Sequence, residues 1–225
     1  MHLGLIGGIG PAATVFYYQR LVRAFDKAGQ HLELTIAHTS AQTLSGNAAT
    51  DNVAGQVDEF LRVSRQLAAA GAERLVITSM GGHFCADAFA PLAPLPLLHG
   101  PTAVGDFLRA NGARRIGVLG TRIVMQTGLY GALADLEPLA PLGGSLMQVN
   151  DDYVAIAIAG KAEDAERERL VAAGKALVDE QGAEVVLLGG TDLNLVYSGD
   201  ELDVPVVDSA AVHVDAIVSA ALASP

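Results

Sequence analysis

The chain has 225 residues, 51% of them hydrophobic and 17% charged, a balance that suits a well-packed globular protein with one large core or two small ones. A formal charge of −11 offers no basic stripe for nucleic acid, and a single Cys excludes an intrachain disulfide framework. No apolar run reaches the roughly 18 residues of a membrane span, so the expectation is a soluble, cytoplasmic protein whose acidity serves solubility.

The first apolar run, about 2–7, predicts a buried strand and not the h-region of a secretory leader, because a basic start and a small-residue cleavage site are missing. It passes into Gly7-Gly8-Ile9-Gly10-Pro11-Ala12-Ala13, a tight turn that opens a helix with Pro11 at the first helical position. A second strand, about 32–38, leads into the polar stretch His38–Asn47, predicted as a loop at a strand's carboxyl end. Residues 52–70 put Val53, Val57, Phe60, Leu61, Ser64 and Leu67 near one helical face and stop at Gly71. Strands are expected at 73–79 and, after the proline-rich Pro91–Pro96, at 94–98. Beyond residue 100 come helices at 102–111, 122–135, 163–181 and 209–223, and strands at 115–120, 145–149, 184–188 and 204–207.

The pattern repeats. Leu3-Gly4-Leu5-Ile6-Gly7 is echoed 113 residues later by Ile116-Gly117-Val118-Leu119-Gly120. Gly71-Ala72-Glu73-Arg74-Leu75-Val76-Ile77 is echoed 111 residues later by Gly182-Ala183-Glu184-Val185-Val186-Leu187-Leu188. Two echoes at nearly one spacing predict a duplicated α/β unit, hence two pseudo-symmetric, flavodoxin-like α/β/α lobes with mostly parallel sheets and an inter-lobe cleft. The expected boundaries are 1–100 plus 208–225 for the N-terminal lobe and 101–207 for the C-terminal lobe.

Chemistry-bearing residues gather at predicted strand ends. Gly8 and Gly10 lie in a turn whose backbone amides suit a carboxylate or phosphate. The same turn satisfies G-x-G-x-x-A, but the second strand ends Ile36-Ala37-His38-Thr39 without the acidic residue a dinucleotide site needs. Thr78-Ser79-Met80-Gly81-Gly82-His83 closes the third strand; Ser79 is a candidate nucleophile or proton donor and His83 a candidate acid or base. Each also has a plain structural explanation, Ser79 as a cap or turn hydroxyl, His83 as a satisfied interior ring. In the second half Gly120-Thr121-Arg122 matches the first turn, and Gly189-Gly190-Thr191-Asp192 matches the segment around Ser79. No His/Cys/Asp/Glu spacing suggests a metal, so no metal site is expected.

Taken together these residues are similar to the aspartate/glutamate racemase superfamily. The likeness covers nearly the whole chain and rests on Gly4–Thr14, Gly117–Arg122, Leu188–Asp192 and Pro205–His213. It implies two lobes, no cofactor, a homodimer, and proton exchange beside a carboxylate by two opposed thiols. In the family the third strand ends Cys-Asn-Thr with His two residues on; His83 sets that register here, putting Ser79 at the thiol, Met80 at the Asn and Gly81 at the Thr. The second half of the family reads Gly-Cys-Thr-Glu; here Gly190 replaces the Cys and Asp192 the Glu. Both catalytic cysteine positions are therefore substituted. The likeness implies catalytic roles for Ser79, Asp192 and Thr191, and substrate contacts for Gly8, Gly10, Gln42, Met80, Gly81, His83, Thr121, Lys161 and Gly190. The segment around Gln42 lacks the Arg that holds an acidic side chain in aspartate-specific members.

Three functions follow as expectations. The first is a cofactor-independent amino-acid racemase or epimerase with an atypical Ser79/Gly190 pair, acting on a small carboxylate or amino acid. The second is a cofactor-free lyase or decarboxylase of the same superfamily with one active wall. The third is an inactive carboxylate-binding homologue.

Overall fold

Strands that are apolar along their whole length need cover on both faces, and the computed structural model, which describes residues 1–197 and 202–223, supplies that cover twice. Two compact units result: Met1–Gly100 together with the chain from His213 onward, and Pro101–Val212. Residues 198–201 of the expected C-terminal lobe and 224–225 of the expected N-terminal lobe lie outside the described residues.

In the first unit, β1 (His2–Gly7), β2 (Glu33–His38), β3 (Arg74–Ile77) and β4 (Leu97–Leu98) form a parallel sheet in the order β2-β1-β3-β4. Leu3, Leu5, Ile6, Leu75, Val76 and Ile77 are fully buried, as central strands require. Between the strands run α1 (Pro11–Ala28), α2 (Ala41–Ala49), α3 (Val53–Ala69), a 3-10 turn Gly81–Cys85 and the short α4 (Ala86–Phe89). The α3 stripe buries Val57, Phe60, Val63, Ser64 and Leu67 at three- and four-residue steps, and it packs on β1 and β2. Asn52 starts that helix by accepting the Gly55 amide at 3.0 Å.

The second unit repeats the plan. It contains α5 (Gly100–Ala110) from Pro101 onward, β5 (Arg115–Leu119), α6 (Arg122–Thr127), β6 (Glu137–Leu139), α7 (Gly144–Ala159), α8 (Asp164–Asp179), β7 (Val185–Leu188), a 3-10 turn Thr191–Leu195 and β8 (Val206–Asp208); α9 (Ser209–Leu222) starts in it and from His213 belongs to the first unit. Its parallel sheet has the order β6-β5-β7-β8, the same succession of central and edge strands as the first. The duplication read from sequence is thus a duplication of sheet topology, with β1 answering to β5 and β3 to β7.

Three expected elements are corrected. Residues 145–149 are not a strand but the first turns of α7, where Val149, Asp152, Tyr153 and Ile156 turn inward at helical spacing. The edge strand is instead Glu137–Leu139, three residues that include Pro138; an edge tolerates a proline because one side of the strand has no ladder to serve. The helix expected over 122–135 ends at Thr127, because Gly128, Leu129, Tyr130 and Gly131 all adopt positive φ and break the helical path. The polar stretch 38–47 is a loop only as far as Ser40, whose hydroxyl caps α2 by accepting the Thr43 amide. Among the described residues no helix is long and apolar enough to cross a membrane.

Candidate active site

In the first unit the carboxyl ends of β1 and β3 are knitted together. Gly8 has φ +83°, and a Cβ there would fall 2.4 Å from His38 Nδ1, so only glycine fits this turn. Its amide donates to Thr14 Oγ1 at 2.9 Å, and that hydroxyl lies 3.1 Å from Thr78 Oγ1, which donates to the Ile6 carbonyl at 3.0 Å. The Gly8 amide is thereby engaged inside the protein. Gly10 opens α1 with no side-chain cap, so the first-turn amides beyond it are the ones a carboxylate could reach.

Ser79 follows β3 and is 3% exposed. Its carbonyl accepts from the Gly82 amide at 3.2 Å and from His83 Nδ1 at 2.9 Å. The other ring nitrogen of His83 accepts the Gly100 amide at 3.3 Å, which fixes the neutral tautomer with its proton on Nδ1. Burial drives the His83 pKa well below the usual imidazole value, and the neighbouring His213 and His99 push the same way. His213 is a second neutral ring: it donates from Nε2 to the Leu98 carbonyl at 3.0 Å and receives the Tyr17 hydroxyl on Nδ1 at 2.9 Å. Burial lowers its pKa to about 4. Met80 is fully buried, and its methyl would lie 2.6 Å from a Cβ on Gly100. Gly81 opens the 3-10 turn that carries His83. The Cys85 thiol is pushed up to about 12 by burial, which keeps it protonated and unreactive.

In the second unit Thr121 caps α6, its hydroxyl accepting the Val124 amide at 3.4 Å. Gly190, Thr191 and Asp192 follow β7, and Thr191 and Asp192 are each 1% exposed. Thr191 Oγ1 donates to Asp192 Oδ2 at 3.4 Å. Gly190 is more than a missing side chain. A Cβ on it would fall 2.3 Å from Tyr153 Cε2 and 2.6 Å from Tyr153 Cζ, inside the ring's own volume. Tyr153 comes from α7 and is buried, with Thr191 and Asp192 beside its hydroxyl. Burial and the nearby Asp192 carboxylate raise the phenol's pKa far above its ordinary value.

Two further expected contacts, Gln42 and Lys161, have partners close by in sequence. Gln42 lies in the first turn of α2 and accepts from Ser40 Oγ at 2.9 Å. Lys161 is exposed just past the Gly160 stop of α7, and its ammonium pairs with Glu163 at 2.5 Å. Sequence reasoning missed Tyr153. The signal was the inward stripe Val149-Asp152-Tyr153-Ile156, lost once 145–149 was read as a strand. Among the described residues no group of three His, Cys, Asp or Glu side chains could hold a metal ion.

Comparison with known proteins places this geometry. The family model for Asp/Glu/hydantoin racemase matches residues 6–217. A Yersinia pestis protein assigned provisionally to the Asp/Glu racemases superposes with TM-score 0.84 at 26% identity, covering 99% of this chain and 100% of that one. An aspartate racemase homologue from Pyrococcus horikoshii OT3 superposes with TM-score 0.80 at 23% identity, covering 98% and 99%. Glutamate racemase from Francisella tularensis, solved with D-glutamate, shares the fold at TM-score 0.68 and 14% identity, over 98% of this chain and 81% of that one.

Proposed function

Since the chain belongs to the Asp/Glu/hydantoin racemase family, we propose that it is a cofactor-independent amino-acid racemase or epimerase working at the carbon beside a carboxylate. The observation that carries this reading is Ser79. It stands two residues past β3, in the register that the likeness gives to the family's thiol, buried, with its carbonyl bound by Gly82 and His83. The reaction needs a base to take the α-proton from one face and an acid to return a proton to the other. A positioned acid or base contributes about 10²–10⁴-fold. In this reading Ser79 is the acid or base of the first unit, and Thr191 or Asp192 that of the second. The first-turn amides of α1 after Gly10 hold the carboxylate, which partly neutralises the charge that develops on it as the α-carbon loses its proton.

The segment around Gln42 lacks the Arg that holds an acidic side chain in aspartate-specific members of the family, which favours a substrate without an acidic side chain. The same reading entails a homodimer in the cytoplasm. It is tested by incubating the protein with each enantiomer of a panel of amino acids in deuterated buffer. Loss of the α-proton signal with appearance of the opposite enantiomer is expected for at least one of them. If every α-proton survives, the racemase reading fails and a binding role replaces it.

A further inference from the structure

The chain leaves the first unit after Gly100 and comes back to it at His213, and within that unit a pair of imidazoles ties the two crossings together. His213 Nε2 donates to the Leu98 carbonyl at 3.0 Å, and His83 Nε2 accepts the Gly100 amide at 3.3 Å. The segment Leu98-His99-Gly100 is thus clasped at its start by one ring and at its end by the other. A carbonyl only accepts and an amide only donates, so the rings are opposite neutral tautomers, protonated on Nε2 in His213 and on Nδ1 in His83. The Tyr17 hydroxyl, donating to His213 Nδ1 at 2.9 Å, fixes the first tautomer. The Ser79 carbonyl, accepting from His83 Nδ1 at 2.9 Å, fixes the second. Burial keeps both rings uncharged, so the pattern holds at neutral pH.

Gly100 leaves this clasp no slack. A Cβ there would fall 2.9 Å from His213 Nδ1 and 3.1 Å from its Cε1. The His83 and His213 rings stand edge to face with centroids 6.0 Å apart. We propose that His213 is a positioning residue for Ser79, acting through the clasped segment and His83. Its effect on turnover rests on the racemase reading, which does not itself use His213. The ring touches no reacting atom. It sets where Leu98–Gly100 lies, that segment sets where the Gly100 amide meets His83, and His83 carries the constraint to the Ser79 carbonyl. A displacement of about 1 Å in a catalytic group can cost about 10²-fold in rate, so a remote ring of this kind matters to the chemistry.

His213→Leu removes the grip on Leu98, while His213→Gln puts an amide donor near the position of Nε2 and should restore it. Nitrogen NMR of labelled histidine reports the His83 tautomer, and the Ser79 carbonyl carbon shift reports the bond that oxygen accepts. Kinetics on an amino acid that wild type inverts separates kcat from KM. In the Leu variant the single His83 tautomer should be lost and the Ser79 shift should move. Its kcat should fall by about 10–10²-fold with KM changed far less, and the Gln variant should recover these properties. A purely structural role would lower the melting temperature and leave the His83 tautomer and kcat as in wild type; that result would overturn the proposal. Gly100→Ala keeps every hydrogen-bonding group and should move the same signals, so it decides the matter if the Leu variant does not fold. A wild type that exchanges no α-proton removes the racemase reading, and the NMR signals then judge the clasp alone. Movement of the Ser79 and His83 signals in these variants supports it, and wild-type signals in them overturn it.

Discussion

His83 holds Ser79 by the carbonyl: Nδ1 donates to that oxygen across 2.9 Å while Nε2 receives the Gly100 amide. One imidazole thus joins the end of β3 to the start of α5, and the Ser79 hydroxyl is left out of this bonding. His83→Leu removes both hydrogen bonds; the Ser79 carbonyl keeps the Gly82 amide, but the buried Gly100 amide is left unpaired, a loss of about 1–3 kcal/mol. The Ser79 backbone should shift with it, so kcat should fall more than KM rises. His83→Asn keeps a donor near the Nδ1 position and should recover part of kcat. Unchanged kcat in the Leu variant would show that the hold on Ser79 is irrelevant to turnover.

Acid should unfold the protein through the same rings. His83 and His213 have folded pKa values below the ordinary imidazole value, His213 at about 4. Above pH ~6.5 both states carry neutral rings and nothing is lost. As pH falls below that, the unfolded chain takes protons that the buried rings refuse, and stability drops until the folded pKa is passed. For His213 alone this amounts to about 3 kcal/mol. Urea midpoints should therefore decline between about pH 7 and pH 4, and His213→Gln should flatten the decline. A flat profile in wild type would show that these rings charge freely in the native state.

Ser79→Ala should abolish inversion with little change in stability, since it deletes one hydroxyl. Ser79→Cys should do the reverse and raise the rate by about 10–10²-fold, because a thiol with a reference pKa of about 8.5 exchanges protons near neutrality far better than an alcohol. Chiral chromatography of single-enantiomer reactions reads both. A Cys variant slower than wild type would argue that the hydroxyl binds the substrate and transfers no proton.

Thr14→Val tests the knot between the two strand ends. It strands the buried Gly8 amide and breaks the contact with Thr78, so about 1–3 kcal/mol of stability should go, measurable by urea titration. Thr14→Ser keeps the hydroxyl and should restore most of it.

Much of this protein was legible in its residues. The strands β1, β5 and β7 announce themselves because central parallel strands must be apolar throughout, and the helix α3 because one stripe of it is. The two echoes foretold that both sheets share an order. What escaped was set by tertiary contact. Glu137–Leu139 becomes a strand only because β5 lies beside it, and nothing in Glu-Pro-Leu advertises that. The helix after Arg122 stops on residues with positive φ, two of them Leu129 and Tyr130, which carry no turn signature. That Ser79 and His83 follow β3, and Thr191 and Asp192 follow β7, could be read from the strand pattern alone. Tyr153 could not, because its bearing on Gly190 appears only when α7 is folded against the end of β7.

The overlap between Tyr153 and any side chain at position 190 also fixes the order in which this wall could change. No single replacement at 190 is open while the ring is in place, whatever its chemical merit. A lineage, or a library, that regains a thiol there must first shrink residue 153 and pass through a form with neither group. Saturation mutagenesis at 190 alone would find only glycine and would mistake a steric tenant for a catalytic requirement.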